Sequence, residues 1–419
     1  MKRGIATYCL IFIGVLTTLL PNTGSAQDSD DLYIFGFSQT IFNYKNVHSF
    51  TKSGDITGVP VDFTANFESN TFALHQLDLF FRKPINEKTV FFLNLSATGS
   101  YSSALNFGNL QIPEGWVSYQ ITPNIIGKVG LMAPTFNNLN EIKNRLPLLP
   151  YLIRPLIYEA LFYGIFSEQD YLPQSAYLQV SGTKLLTRNT IFDFAFNMGN
   201  SEYSYASQIE PGTGPISVGQ ESATIYNGEN LTTLLSFGGR VGLRSVIDTY
   251  KLGVSFTRDH DNRNEITNYS VGRFPNVNLP VFGDVPRYRI GVDLSWNWDK
   301  LSFESEYIRV LHDHSEIHET PQYQNVNMNK TFYYGLLNYD FNNKHYAFVG
   351  FTHLKDNAVE FLMPNSPDAS GFSHLSLGTG WKPFDDIVLK LQYSKAFLAD
   401  NPYSEAEIDM ITAGLSVIF

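Results

Sequence analysis

The chain has 419 residues, of which 15% are aromatic and only 16% charged, with 29 basic against 40 acidic side chains and a formal net charge of -11. So acidic a chain is a poor partner for nucleic acid. It is too aromatic for disorder, too poor in charge for an ordinary soluble surface, and, with a slightly negative mean hydropathy, too polar for a bundle of membrane-spanning helices.

Lys2 and Arg3 precede an apolar run, Ile5 to Leu20, and Gly24-Ser25-Ala26 supplies small residues ahead of Gln27. This is the pattern of a secretory signal peptide over residues 1–26, cleaved after Ala26. The only cysteine, Cys9, lies inside it, so no disulfide framework is expected in the mature chain.

From there on, period-two segments recur to the end of the chain, without a long segment of helical period. In order they are Leu32 to Tyr44, Phe72 to Lys83, Val90 to Gly99, Ile112 to Ile121, Ile125 to Ala133, Gln174 to Leu186, Thr190 to Met198 and Leu231 to Val246. They continue with Tyr250 to Arg258, Arg287 to Trp298, Leu301 to Leu311, Lys330 to Phe341, His345 to Leu354, Gly371 to Lys382, Ile387 to Leu398 and Glu405 to Phe419. That is about sixteen strands, the even number expected of a single-chain bacterial barrel, each long enough to cross a bilayer at a tilt.

The connectors alternate between two kinds. Tight turns at Pro84 to Thr89, Thr122 to Asn124, Thr187 to Asn189, Ile247 to Thr249, Asp299-Lys300, Asn342 to Lys344 and Pro383 to Asp386 are separated by long polar loops such as Lys45 to Thr71, Pro134 to Pro173, Gly199 to Asn230 and Asp259 to Pro286. Short turns on one rim and long loops on the other define an all-β transmembrane antiparallel barrel over residues 27–419, with periplasmic turns and outer loops.

The two faces of single strands carry the same reading. Tyr288, Ile290, Val292, Leu294, Trp296 and Trp298 form an apolar face suited to lipid, while Arg287, Arg289, Asp293, Ser295 and Asn297 take the face suited to water. Trp298, Phe341 and Trp381 adjoin short turns, as an interfacial girdle requires. The last strand, with Ile411, Ala413, Leu415, Val417 and Phe419, resembles the carboxy-terminal signature of outer-membrane barrels.

As architecture, the mature chain resembles the general porins. The resemblance implies an outer-membrane channel for passive diffusion of small hydrophilic solutes, trimeric, with lipid around it and no cofactor. It also implies that the third loop, here Pro134 to Pro173 and the longest, folds inward and narrows the pore. That loop supplies Glu141, Arg154, Glu159, Glu168 and Asp170 as constriction candidates, interleaved with Tyr151, Tyr158, Phe162, Tyr163 and Phe166. Its centre, Leu146 to Phe162, is apolar and broken by Pro147, Pro150 and Pro155, and lacks a Pro-Glu-Phe-Gly-type motif. Docking on a neighbouring subunit is therefore a second destination for it. Arg240, Arg244, Lys251, Arg287 and Arg289 are expected to form a basic strip on the pore lining, with Asp293, Glu304 and Glu306 beside it, and Arg289→Glu is expected to shift ion selectivity without disturbing folding.

Other chemistries find less support. His312, His314 and His318 with Asp313, Glu316 and Glu319 are metal-ligating types in an outer loop, but their spacing matches no known site and no metal is expected. Gly36-Phe37-Ser38 is not completed to a nucleophile elbow and no HExxH helix appears, so a barrel-borne hydrolase is disfavoured. An adhesin or structural barrel is the alternative left open. An energised uptake receptor needs about 22 strands and a plug, for which the chain has no room.

Overall fold

The computed structural model describes residues 31–52, 62–100, 109–143, 145–159, 171–173, 175–201, 235–261, 269–271, 274–277, 285–312, 329–356, 371–399 and 404–419. The proposed signal peptide lies outside them. The strands are β1 (Tyr33–Lys52), β2 (Asp62–Pro84), β3 (Thr89–Ser100), β4 (Asn109–Thr122), β5 (Ile125–Met132), β6 (Ala176–Thr187), β7 (Thr190–Asn200), β8 (Leu235–Ser245) and β9 (Tyr250–Asp261). A short pair, β10 (Tyr269–Val271) and β11 (Phe274–Val277), follows within the loop after β9. The rest are β12 (Val285–Trp298), β13 (Leu301–His312), β14 (Asn329–Asn342), β15 (His345–Asp356), β16 (Gly371–Phe384), β17 (Ile387–Ala399) and β18 (Ser404–Ile418).

All of these except β10 and β11 close into one antiparallel barrel in which sequence neighbours are spatial neighbours and β1 seals against β18. The seam runs from Phe37 opposite Ile418 to Thr51 opposite Ser404. Closure removes every sheet edge, which a sheet in hydrocarbon requires because no water is there to satisfy its backbone. Phe419 finishes the seam: its N–H donates to Gly36 O at 3.0 Å and its O accepts from Gly36 N at 2.8 Å.

The tight turns are set by local chemistry. Asp248 and Asp299 sit at φ 54° and 52°, the left-handed region that aspartate tolerates better than most residues. Asn86 Oδ1 accepts from the N–H groups of Lys88 and Thr89 at 2.9 Å each, and Asn342 Oδ1 does the same for Lys344 and His345 at 2.8 and 3.0 Å.

Two departures from the sequence expectation concern extent and wall chemistry. β1 and β2 continue as a ladder through Lys45 to Lys52 and Asp62 to Thr71, which the sequence reads as loop. Beyond the apolar band neither face needs to be apolar, so the period-two signal fades while the hydrogen bonds continue. The inner wall is also not uniformly polar. Across β13 to β18 it carries buried Ile308, Val310, Phe332, Tyr334, Leu336, Phe348, Leu354, Phe372, Val388, Ala396, Ile408 and Met410. The opposite arc carries Gln39, Gln76, Asp78, Asn94, Gln179, Asn197 and Arg240. On the outside, Leu252, Val254, Phe256, Ile290, Val292, Val349, Phe351, Leu375 and Leu377 are exposed, as a lipid-facing band must be.

Candidate functional site

The apolar inner arc is explained by the third loop, which leaves β5 and crosses the lumen to the far wall. Asn137 N donates to Ser255 Oγ at 2.9 Å and Asn138 Nδ2 to Ser295 Oγ at 3.1 Å. Gly291 makes this approach possible, since a Cβ there would overlap the Asn137 side chain. The short helix α1 (Leu139–Ile142) begins with Leu139 N donating to Glu306 Oε1 at 2.7 Å, and the other oxygen of Glu306 accepts from Tyr158 Oη at 2.8 Å. Burial first, and the Glu306 carboxylate second, raise the Tyr158 phenol well above its ordinary value, so it stays a donor.

On β17 the loop meets its strongest anchor. Lys390 Nζ donates to the carbonyls of Leu146, Pro147 and Leu149 at 3.1, 3.0 and 2.6 Å. Two residues along the same face, Gln392 Oε1 accepts from Leu152 N and Ile153 N at 2.6 and 3.0 Å, and its Nε2 donates to Ile153 O at 3.3 Å. Tyr346 Oη donates to Pro150 O at 3.0 Å. Prolines at 147, 150 and 155 keep this stretch from forming an α-helix; it makes only two single 3-10 turns, Leu146–Leu148 and Leu156–Tyr158, so carbonyls are left to face the wall. Leu146, Leu156, Ile157 and Tyr158 then bury against Ile308, Phe332, Phe348 and their neighbours, each side chain contributing roughly 1.5–3 kcal/mol. Leu152 packs with Ile41 and Ala73, over Gly414, where a Cβ would collide with it.

The basic strip is placed on the inward face, but most of it is neutralised. Arg287 Nε and Nη2 donate to the two oxygens of Asp259 at 2.9 and 2.6 Å, and Arg289 Nη1 adds a bond at 3.0 Å; all three side chains are fully buried. Arg240 Nε and Nη2 grip Asp293 at 2.8 and 2.7 Å while Nη1 reaches Asp193 at 2.6 Å. Glu306 is committed to the loop. Arg289→Glu would therefore set a second carboxylate against Asp259 in a buried site and disturb folding, contrary to the expectation from sequence. What still faces open lumen is Arg244, Lys251 and Glu304, each half-buried on the turn side of the third loop. Arg244 and Lys251 stand directly opposite one another on β8 and β9, with no ion pair or hydrogen bond to either side chain among the described residues.

Of the loop candidates, Arg154 and Glu159 pair with each other, the Arg154 N–H donating to Glu159 Oε2 at 3.0 Å and its Nε lying 3.6 Å from the same oxygen. Glu141 accepts from Thr135 Oγ1 at 2.8 Å. Glu168 and Asp170 lie outside the described residues, as do Asp313, His314, Glu316, His318 and Glu319; His312 is buried on the inward face at the loop end of β13. Among the described residues no three metal-ligating side chains gather.

Sequence reasoning missed Asp259, Asp193, Lys390 and Gln392. Parity was the available signal: Asp259 shares a face with Lys251, one residue beyond the expected strand end, and Lys390 and Gln392 are polar residues alternating with the outward Leu389 and Leu391.

A closed sixteen-stranded barrel with an inward third loop is a porin-like transmembrane β-barrel. No protein-family model and no curated protein matches the chain. Similar solved structures include the outer membrane channel DcaP of Acinetobacter baumannii (12% identity, covering 95% of this chain and 100% of that one, TM-score 0.57). Others are Salmonella typhi OmpF in complex with daunomycin (10%, 93% and 97%, 0.54) and an anion-selective porin from Comamonas acidovorans (10%, 93% and 99%, 0.52). At these identities the likeness is one of fold.

Proposed function

We propose that the protein is an outer-membrane channel for passive diffusion of small hydrophilic solutes, exported by a signal peptide cleaved after Ala26 and assembled as a trimer. The observation that carries this reading is the polar lumen on the turn side of the third loop. A recess there is lined by Ser302, Glu304, Asn338, Asp340, Tyr346, Lys382 and Lys390 together with the apolar Pro147 to Pro150, Leu336 and Val388, and the half-buried Arg244, Lys251 and Ser295 continue the polar wall beyond it. A barrel that served only as an adhesin or scaffold has no need of a hydrated interior, and no catalytic constellation is proposed. The trimer rests on the porin resemblance.

Arg244 and Lys251 are proposed as the lumen charges that set ion preference, because their neighbours in the strip are already paired. The test is a planar-bilayer recording of the purified protein with small solutes added to one side. Stepwise ohmic conductance is expected; a folded protein that inserts and passes no ions overturns the channel reading.

A further inference from the structure

The outward face of β9 to β15 carries basic side chains near the loop rim. Arg309 on β13, Thr331 on β14 and Lys355 on β15 fall in one register row, so the two cations stand two strand spacings apart, about 10 Å. Arg258 lies diagonally across β12, its guanidinium held 5.8 Å from the ring centres of both Phe237 and Tyr288. Arg309 and Lys355 are exposed, and neither side chain has a hydrogen bond or ion pair among the described residues. No acidic residue occupies an outward position on the described parts of β8, β9 or β12 to β15 near this rim. Lys395 on β17, another outward cation near the loop rim, is already paired with Glu407 at 3.0 Å.

Height fixes what these groups meet. From Leu301 to Arg309, or Tyr250 to Arg258, a strand rises roughly 26 Å at about 3.3 Å per residue. At the usual barrel tilt of about 35–45° that is about 20 Å of bilayer, and from His345 to Lys355 about 25 Å. The apolar band of such barrels is about 25 Å tall. Long basic side chains extend several ångströms beyond their Cα and turn their heads toward water. The three cations therefore reach the plane of the lipid phosphates, whose negative charge attracts such basic groups.

We infer that this face binds the phosphate of an anionic lipid in the leaflet on the loop side, with Arg309, Thr331 and Lys355 around one phosphate and Arg258 beside it. The site is separate from the lumen: conductance reads the channel, whereas lipid retention reads the outer wall, so either can fail alone.

The probe is diphosphoryl lipid A added to the detergent-purified full-length barrel, with retention followed by native mass spectrometry and folding by heat-modifiable gel migration. Wild type is expected to retain lipid A in preference to phosphatidylcholine and to inorganic phosphate. Each cation removed should lower retention about fivefold, so Arg258→Gln, Arg309→Gln and Lys355→Gln together should lower it on the order of 100-fold. Lys395→Gln should leave it unchanged. Arg309→Gln and Lys355→Gln, made singly on the surface, carry the test if the triple variant does not fold. Undiminished lipid A retention by the folded variants overturns the inference, as does equal retention of phosphatidylcholine or inorganic phosphate by wild type. Dissociation of an oligomer by the variants would assign the face to a second copy of the chain and overturn it too.

Discussion

Replacing Lys390 by methionine keeps the shape of the side chain and removes the ammonium that gathers the carbonyls of Leu146, Pro147 and Leu149. A hydrogen bond to a charged group contributes about 1.5–3 kcal/mol, but methionine also relieves the cost of keeping a cation in a dry site. The net loss of docking free energy is set at about 2–4 kcal/mol, a shift of roughly 30- to 1000-fold in the ratio of docked to released loop. Gln392, Glu306 and the apolar packing remain, so the barrel stays closed and the loop opens more often rather than permanently. Hydrogen exchange of the peptide covering residues 146–158 should speed up by that factor. Leu152 and Ile153, whose N–H groups donate to Gln392, should become the most protected amides left in the segment. In planar bilayers the variant should show added open-channel noise and brief excursions to higher conductance. Unchanged exchange and unchanged noise in a folded Lys390→Met barrel would refute the idea that this lysine holds the loop on the wall.

Asp259→Asn removes a carboxylate that lies between two buried arginines and should cost about 3–5 kcal/mol, read as a lowered urea midpoint for unfolding from vesicles. Leu294→Arg, at an outward mid-strand position on β12, should destabilise insertion by about 2–4 kcal/mol in the same assay. Arg244→Glu combined with Lys251→Glu should leave stability nearly unchanged and move the reversal potential in a salt gradient toward cations. An unmoved potential would remove these two residues from any selective role.

Much of the architecture was legible because a membrane barrel imposes a local rule on its strands. The faces read from Arg287 to Trp298 are those of β12: Arg287, Arg289 and Asp293 are buried inside while Ile290, Val292 and Trp296 are exposed outside. The same rule fails at β14, where Phe332, Tyr334 and Leu336 point inward and Tyr333 and Leu337 outward. Apolar residues on both faces carry no alternation; they signal something oily on the inside as well, here the third loop. The upper part of the β1–β2 ladder was illegible for the opposite reason, since neither of its faces demands hydrocarbon.

Strand number, order, inward parity and the long third loop follow from the chain itself, because alternation and turn chemistry are settled by residues adjacent in sequence. Only the folded barrel decides that Arg240, Arg287 and Arg289 are spent on Asp293, Asp193 and Asp259, that Lys390 meets a loop far away in sequence, and that Arg244 and Lys251 are left facing the lumen. Such partners lie across strands or across the barrel, and the energy that selects them is that of pairing charges where water has been excluded.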